Sequence, residues 1–237
     1  MSTKKTILIT GGSKGIGFGM AQVLVEAGNR VAITSRSQEA AERAADELRR
    51  SGPAEVLPLK ADVRSLADQE RAVAELLQKW GQLDVLIANA GLGHFAPIDQ
   101  LEPERWKAVI DTNLTGVYYS LRACLEALKK SKGYFITISS LAGTNFFPNG
   151  SAYSASKFGL TGFTQSVMLD LRPYGIKTTT IMPGSVKSFF NEHVPTEEDS
   201  WKIQPEDLGQ MVLDLLKMPD RTLPSKIEVR PAQPPQK

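Results

Sequence analysis

Short apolar runs that alternate with longer segments of helical period constrain the fold of this chain more than any other feature of its sequence. Seven such runs occur along the chain. This alternation is typical of strand–helix–strand units, whose strands pair in parallel. It predicts an α/β fold, a doubly wound parallel sheet of seven strands with helices on both faces. The predicted strands are Thr6–Thr10, Val31–Thr34, Glu55–Leu59, Val85–Ala88, Tyr134–Ser139, Thr178–Met182 and Ile227–Val229.

About seven helices are expected between these strands. One is predicted over Gln38–Ser51, and another begins near Ser65, whose hydroxyl can cap it with Asp68 three residues later. Pro103 and Pro205 occupy positions where a first helical turn tolerates a missing N–H, so we expect a helix to start at each.

The length of 237 residues, with 41% hydrophobic residues, suits one globular domain. We expect this domain to span residues 1–230. Within it, residues 183–204 show no clear period, so a short substrate lid is predicted at about 184–204. Residues 231–237, which contain three prolines, are expected to form a flexible tail.

Composition excludes several classes of function. The formal charge of +2 gives no electrostatic reason to expect nucleic acid or an anionic membrane as a partner. The single cysteine, Cys124, excludes an internal disulfide, and one cysteine with two histidines is too few for most zinc sites, so no metal is predicted. No run approaches the roughly 18 apolar residues that span a bilayer. We therefore expect a cytoplasmic protein.

A glycine-rich turn follows the first predicted strand and leads into an amphipathic helix. Gly11 and Gly15 allow the backbone to approach a pyrophosphate, and Gly17 lets helix and strand pack closely. The helix N-terminus offers unpaired N–H groups to an anion. The spacing G-x-x-x-G-x-G in this order of elements predicts a dinucleotide site that includes Gly11, Ser13, Lys14, Gly15, Ile16 and Gly17.

The end of the second strand indicates which dinucleotide binds. An acidic residue there would bond the ribose 2′-hydroxyl and repel a 2′-phosphate, but this sequence has Thr34-Ser35-Arg36. Arg36 can form paired hydrogen bonds to a phosphate, while Ser35 and Lys14 can add further contacts. The sequence therefore predicts NADP(H) as the cofactor.

Ser140, Tyr153 and Lys157 form the candidate catalytic group. Tyr153 and Lys157 are four residues apart in a predicted helix, so they share one face. A free tyrosine titrates near pH 10, and a neighbouring cation favours the phenolate, so we expect Lys157 to lower the pKa of Tyr153. Ser140 ends the fifth strand, and ligands bind at the carboxyl ends of strands in open parallel sheets.

These residues resemble the short-chain dehydrogenase/reductase superfamily, in its single-domain, Rossmann-like branch of about 250 residues. The resemblance covers nearly the whole chain. The matching motifs, in order, are Thr10–Gly17, Asp62-Val63, Asn89-Ala90-Gly91, Asn113, Ser140, Tyr153-x-x-x-Lys157 and Pro183-Gly184.

The resemblance implies an NADP(H)-dependent oxidoreductase that interconverts a ketone or aldehyde and an alcohol, with a tetrad of Asn113, Ser140, Tyr153 and Lys157. Tyr153 would be the general acid and base, Ser140 would orient the carbonyl, Lys157 would bind the nicotinamide ribose, and Asn113 would hold a water in the proton relay. The remaining implied cofactor contacts are Asp62, Val63, Asn89, Ala90, Gly91, Pro183, Gly184, Val186 and Ser188, besides Tyr153 and Lys157 themselves.

The chain departs from the family pattern at three places. Ala88 stands where an asparagine is frequent, Ser188 stands where threonine is usual and keeps the hydroxyl, and the segment Lys226–Pro231 lacks the glycine pair common after the last strand. The resemblance therefore leaves open whether this C-terminal segment contributes to subunit contacts or to the pocket rim. In the lid, Lys187 and Lys202 are accompanied by acidic residues, so no carboxylate-binding subsite is predicted there.

The substrate pocket is expected to be apolar and partly aromatic. Its candidate residues are Leu92, His94, Phe95, Leu141, Phe146, Phe147, Phe189 and Phe190. An alternative substrate is a 3-oxoacyl group on an acidic acyl carrier protein, which Lys129, Lys130 and Lys132 could dock. An alternative of another class is a non-catalytic NADPH-binding sensor or scaffold.

A homodimer or homotetramer is expected. The predicted helices at about 114–130 and 152–171 carry apolar residues on more than one face, and surplus apolar surface suggests burial against another subunit. The family resemblance implies assembly through the same two helices.

Overall fold

The computed structural model describes residues 4–233, in which the seven predicted strands form one sheet. Every strand begins and ends within one residue of its predicted bounds. The strands are β1 (Thr6–Ile9), β2 (Arg30–Ser35), β3 (Val56–Lys60), β4 (Val85–Ala88), β5 (Tyr134–Ile138), β6 (Lys177–Pro183) and β7 (Lys226–Val229).

The sheet has the order β3-β2-β1-β4-β5-β6-β7, and all of these pairings are parallel. The chain first winds outward from β1 to β3 and then returns to pair β4 with the other side of β1. This reversal opens a crevice at the carboxyl ends of β1 and β4, which is where open α/β sheets bind ligands. The predicted Rossmann-like fold class is confirmed.

Helices cover both faces of the sheet. The predicted bounds of the second helix are those observed, and the prolines at 103 and 205 each begin a helix. The helices are α1 (Gly15–Glu26), α2 (Gln38–Ser51), α3 (Leu66–Trp80), α4 (Pro103–Ile110), α5 (Gly116–Ser131), α6 (Ser151–Leu171) and α7 (Pro205–Lys217).

The hydrophobic core lies in two layers, one on each face of the sheet. Ile7 and Ile9 of β1 pack with residues of α1, α2 and α7, whereas Leu8, between them, packs with residues of α3, α5 and α6. Because both faces of the central strands are buried, apolar residues occupy successive positions in these strands instead of alternate ones.

The start of α3 confirms one half of the predicted cap and corrects the other. The Ser65 hydroxyl accepts the Asp68 N–H at 3.2 Å. The Asp68 carboxylate, however, accepts the N–H of Asp62 at 3.0 Å instead of closing a reciprocal box with Ser65. The helix cap thereby ties α3 to the loop that follows β3.

A π-helical turn, Asp111–Thr115, joins α4 to α5 into one continuous helical segment. The Gly116 N–H donates to the Asp111 carbonyl, five residues back, so the usual i to i−4 ladder is interrupted there. This turn contains Asn113 and sets the direction of its side chain.

The predicted lid is irregular apart from two 3₁₀ turns, at Phe190–Glu192 and Glu197–Asp199. An isolated parallel bridge between Val186 and Ile203 closes its base. Of the predicted tail 231–237, residues 234–237 lie outside the described residues. Within residues 4–233, no helix combines the length and apolar character needed to cross a membrane.

Candidate active site

The predicted site residues meet at the carboxyl edge of the sheet. The glycine turn follows β1, Asn89–Gly91 follow β4, Ser140 follows β5, and Gly184 follows β6. Parallel strands bring these ends to one edge, so residues far apart in sequence surround one crevice. Two adjoining cavities occupy it, a cofactor cleft along the glycine turn and a substrate cavity beneath the lid.

The glycine turn has the backbone conformation that its spacing predicts. Gly11 and Gly15 adopt positive φ angles of 66° and 58°. A Cβ on Gly11 would lie 2.9 Å from the Cα of Ala90, so only glycine allows this approach of the turn to β4.

Asn89 fastens the turn to the end of β4. Its side-chain Nδ2 donates to the carbonyls of Thr10 and Gly11 at 3.0 and 3.1 Å, and its N–H donates to the Thr10 hydroxyl at 3.1 Å. Asn89 lines the cleft as predicted, and these bonds show that it also holds the turn in shape.

The N-terminus of α1 faces the cleft. No side chain caps this end of the helix, and no acidic residue lies in its first turn, so its N–H groups can receive an anion. Ser188 lies across from Gly15, with its Cβ 3.6 Å from the position of a Cβ there. Gly17 does not line the cleft; it is buried, and a Cβ on it would lie 2.4 Å from the Gly11 carbonyl oxygen.

Basic side chains border the adenosine end of the cleft. Lys14, Ser35 and Arg36 line it as predicted, and Arg64 joins them. The Arg64 side chain donates to both carboxylate oxygens of Asp62, with Nη2 to Oδ2 at 2.6 Å. The hydrogen bonds from Arg64 hold the pKa of Asp62 below its usual range.

Tyr153 lies at the junction of the two cavities, and its side chain lines both. Its phenol lies close enough to the Ser140 side chain for that hydroxyl to influence its pKa, and the Ser140 hydroxyl accepts the Ala142 N–H at 3.1 Å. Burial raises the pKa of Tyr153 to about 12, although the Ser140 hydroxyl lowers it in part.

The position of Lys157 differs from the expectation that its cation lowers the pKa of Tyr153. Its ammonium donates to the Ile138 carbonyl at 2.9 Å and lies 5.7 Å from the centre of the Tyr153 ring. Burial lowers the pKa of Lys157 to about 8. The predicted lowering of the Tyr153 pKa by Lys157 is not seen, because the cation is turned to the end of β5 and is itself buried.

Asn113 is wholly buried and acts as a clamp between two segments. Its Oδ1 accepts the Leu92 N–H at 2.9 Å, and its Nδ2 donates to the Leu92 carbonyl at 2.9 Å and to the Ser156 hydroxyl at 3.0 Å. The side chain thus joins the loop after β4 to α6, the helix that carries Tyr153 and Lys157.

Three phenylalanines surround the Tyr153 ring or its neighbours. The ring centre of Phe190 lies 5.3 Å from that of Tyr153, and the Phe95 ring meets Tyr153 edge-on at 5.5 Å. Phe147 contacts Phe95 at 5.7 Å between ring centres. Such edge-on and tilted pairs are the favoured arrangements of aromatic rings.

Most of the predicted site residues line one of the two cavities. Val186, Pro183 and Gly184 line the substrate cavity instead of the cofactor cleft, together with the predicted Leu141, Phe146, Phe147 and Phe190. His94 lines neither cavity. Of the predicted cofactor residues, the cleft is lined by Gly11, Ser13, Lys14, Gly15, Ile16, Ser35, Arg36, Asp62, Val63, Asn89, Ala90, Gly91, Tyr153, Lys157 and Ser188.

Sequence reasoning missed several lining residues. In the cofactor cleft, Thr34, Ala61, Ile138 and Ser139 lie at or next to carboxyl ends of strands, a position that could have identified them. Arg230, which follows β7 directly, has the same strand-end position in the substrate cavity. No comparable local signal marks the others, which are Arg64 and Thr112 in the cleft and Ala142, Asn145, Ser185, His193 and Lys202 in the substrate cavity.

The lysines considered for carrier-protein docking lie at the opposite edge of the sheet. Lys129 and Lys130 lie in the last turn of α5, and Lys132 lies two residues before β5, whose other end leads to Ser140. Lys129 pairs with Glu126 at 2.9 Å and lies over the Tyr174 ring. These lysines therefore do not border the substrate cavity.

Among residues 4–233, no group of three or more histidine, cysteine, aspartate or glutamate side chains is arranged to hold a metal ion. Cys124 is buried and forms no disulfide, and its burial raises the pKa of the thiol.

Comparison with known proteins supports the arrangement. The family model for short chain dehydrogenases matches residues 5–199. An uncharacterized oxidoreductase of Staphylococcus saprophyticus is 30% identical over 233 residues, which cover 96% of this chain and 97% of that protein.

Solved structures of similar proteins share the fold over nearly their whole length. An alcohol dehydrogenase of Thermococcus sibiricus, complexed with 5-hydroxy-NADP, superimposes with a TM-score of 0.91 at 28% identity, covering 99% of this chain and 100% of that one. A 3-ketoacyl-(acyl-carrier-protein) reductase of Brucella melitensis, complexed with NADH, gives 0.86 at 26% identity, covering 96% and 97%.

Proposed function

The chain belongs to the short-chain dehydrogenase family of oxidoreductases, and from this premise we propose that it is an NADP(H)-dependent carbonyl reductase or alcohol dehydrogenase in which Tyr153 is the general acid and base. The observation that carries the proposal is the place of Tyr153. Tyr153 lines both the cofactor cleft and the substrate cavity, and Ser140 lines the substrate cavity beside it.

The cofactor cleft fits a dinucleotide phosphate. The uncapped N-terminus of α1 and the positive φ angles of Gly11 and Gly15 form a backbone cradle for a pyrophosphate. Arg36, Ser35 and Lys14 border the adenosine end, and no acidic residue follows β2 directly, so a 2′-phosphate is accepted there. The Thermococcus sibiricus enzyme, with its 5-hydroxy-NADP, supports this choice.

Each catalytic side chain has a separate task. When bound, NADPH supplies the hydride for the carbonyl carbon, and NADP⁺ accepts it in the reverse direction. Ser140 donates a hydrogen bond that orients the carbonyl oxygen, and Tyr153 supplies the proton to that oxygen. Because burial raises its pKa to about 12, the Tyr153 phenol is protonated at neutral pH, as a proton donor for carbonyl reduction must be.

Lys157 and Asn113 position these groups. Lys157 projects into the cofactor cleft, where its ammonium can bond the nicotinamide ribose while the Ile138 carbonyl holds it from behind. Asn113 fixes α6 against the loop after β4 through Ser156 and Leu92. The implied water relay at Asn113 stays a prediction, since its amide already makes these bonds.

A panel of carbonyl compounds tests the reaction. Ketones, aldehydes, quinones and 3-oxoacyl thioesters are mixed with NADPH, and consumption of NADPH is followed by absorbance. We expect turnover of at least one ketone or aldehyde, and Tyr153→Phe to lower kcat about 10²–10⁴-fold, the usual contribution of a general acid. NADPH binding to Tyr153→Phe, followed by fluorescence, controls for folding. Tight NADPH binding with no turnover, and no effect of Tyr153→Phe, would favour the sensor or scaffold.

Reduction of 3-oxoacyl groups is the second candidate. Its support is the similarity to the Brucella melitensis 3-ketoacyl-(acyl-carrier-protein) reductase. The lysines at the end of α5 do not contribute to it, because they lie at the opposite edge of the sheet. Faster turnover of 3-oxoacyl thioesters than of simple ketones in the same panel would favour this substrate class.

We propose that the protein works as a homodimer or homotetramer. Tyr118 of α5 and Phe158 and Leu169 of α6 are large apolar side chains left exposed on neighbouring helices. Burial of these faces against a second copy would remove them from water, and a monomeric mass in light scattering would contradict the assembly. The cytoplasmic location stays a prediction.

A further inference from the structure

The substrate cavity has a basic mouth that no single segment of the sequence reveals. His193 lies in the lid, Lys202 near the base of the lid, and Arg230 directly after β7, and all three line the cavity. Among the described side chains, which leave out that of Glu192, no aspartate or glutamate lines the cavity. The charged side chains recorded in its lining, those of Lys202 and Arg230, are cationic.

A buried carboxylate behind the lining fixes two of these side chains. Asp199 accepts from the Lys202 ammonium at 2.5 Å and contacts the His193 Nε2 at 2.6 Å, and it also accepts the Thr196 N–H at 3.1 Å. The hydrogen bonds from Lys202 and His193 hold the pKa of Asp199 well below its usual range. Asp199 thus orients Lys202, and an ammonium with three donors keeps others for a ligand.

Arg230 is held at the rim by the backbone on either side of it. The Gly184 N–H donates to the Val229 carbonyl at 2.8 Å, and Pro231 lies beside Gly184. The Arg230 guanidinium makes one contact with Glu228 at 3.1 Å, on a side chain that is 58% exposed. Exposed pairs of this kind contribute little, and a guanidinium has five donors, so most of its bonding capacity is available.

We propose that the substrate carries a carboxylate at the end remote from its reacting carbon, and that Arg230 and Lys202 bind this carboxylate. The proposal rests on the proposed function, because the position of Tyr153 defines the reacting end. A cavity of about 620 Å³ holds such a molecule. Phe147, Phe146 and Leu141 then line the space for the apolar body between the two ends.

A carboxylate suits these donors better than a neutral polar group. The planar guanidinium of Arg230 can bind both oxygens of a carboxylate, and the bonds are strengthened by charge. A primary amide of the same shape offers one acceptor oxygen and no charge, so it serves as the matched neutral probe. The apolar walls make the same contacts with both.

The test compares carboxylates with their amides on one scaffold. Acetophenone, 3-acetylbenzoate, 4-acetylbenzoate and 4-acetylphenylacetate, with the three corresponding amides, are assayed with NADPH. We expect kcat/KM of at least one acid to exceed that of its amide about tenfold or more, mainly through KM, as one charge-assisted hydrogen bond implies. Arg230→Gln is expected to lower this ratio several-fold, with Lys202 keeping the remainder, and Arg230→Lys to lower it less.

Arg221→Gln is the matched control, since it makes the same change of charge at an exposed arginine outside the cavity lining. It should keep the wild-type ratio of acid to amide. Reduction of the amides and acetophenone with no preference for any acid would overturn the proposal, and so would a preference that Arg230→Gln leaves intact. If the wild-type enzyme reduces none of these compounds, nor any in the wider carbonyl panel, the proposed function itself is wrong.

Discussion

Arg36→Asp tests the choice between NADPH and NADH at the residue on which it most depends. Arg36 follows β2, is exposed to solvent and lines the adenosine end of the cofactor cleft. It forms no ion pair within residues 4–233, so its guanidinium is available to a 2′-phosphate. Aspartate at this position would instead accept a hydrogen bond from a free ribose 2′-hydroxyl.

The expected effect follows from the bonds that are lost. A hydrogen bond to a charged group contributes about 1.5–3 kcal/mol, and about 1.4 kcal/mol corresponds to a factor of ten in affinity. Loss of Arg36 alone should therefore raise the Kd for NADPH roughly 10- to 140-fold. Repulsion from the new carboxylate moves the result toward the upper end, whereas Lys14 and Arg64, which remain in the cleft, limit the loss.

Binding can be measured without knowledge of the substrate. Titration with NADPH and with NADH, followed by the fluorescence of the reduced nicotinamide, gives both Kd values. The Kd for NADH should be unchanged or lower. Arg43→Asp is the control, because Arg43 lies on the exposed side of α2 beside Glu39 and its replacement changes the charge equally. Added salt should weaken NADPH binding more in the wild type than in Arg36→Asp.

Equal losses for NADPH and NADH would refute this reasoning. They would mean that Arg36 acts on the shared part of the cofactor or on the shape of the turn. A loss for NADPH in Arg43→Asp as large as that in Arg36→Asp would instead indicate that the overall field of the protein, and not a local contact, selects the cofactor.

Two other predictions concern the groups behind Tyr153. Asn113→Ala should lower the free energy of unfolding by about 1–3 kcal/mol, because it leaves polar groups of Leu92 and Ser156 without this partner. An unchanged free energy of unfolding in a urea titration would contradict the role of Asn113 as a clamp between these segments. Burial lowers the pKa of Lys157 from 10.5 to about 8. Between these two pH values the Lys157 side chain is protonated mainly in the unfolded chain, so the stability of the folded protein rises with pH. The stability of the wild type relative to Lys157→Met should thus rise from pH 8 to 10, by up to about 1.4 kcal/mol per pH unit, and a flat difference would place Lys157 in water.

The fold was predictable because its determinants are local. Strands buried on both faces carry apolar residues at successive positions, as at Ile7, Leu8 and Ile9, and the helices between them begin at recognisable residues such as Ser65, Pro103 and Pro205. The π-helical turn at Asp111–Thr115 was not predictable, because nothing in its composition distinguishes it from the α-helical turns on either side.

The candidate site was predictable where a strand end determines the position of a residue. The glycine turn, Asn89, Ser140 and Arg36 all lie within a few residues of a carboxyl strand end. The electrostatic expectation for Tyr153 was wrong for a different reason. Helical spacing places Lys157 near the phenol, but the direction of its ammonium depends on the Ile138 carbonyl, which belongs to another element.

The substrate end of the site could not be predicted from the sequence for the same reason, because its lining depends on contacts between separate elements. Local charge balance in the lid argued against a carboxylate subsite, yet Asp199, one of the acidic residues in that balance, is buried behind Lys202 and His193 and does not line the cavity. The third basic side chain, Arg230, follows β7, the strand that pairs with β6. Net charge along a segment therefore says little about the charge that a ligand meets, because burial decides which partner of each ion pair faces the cavity. In this chain the proposed carboxylate subsite depends on such tertiary contacts, whereas the proposed reacting end depends on residues at strand ends and on α6.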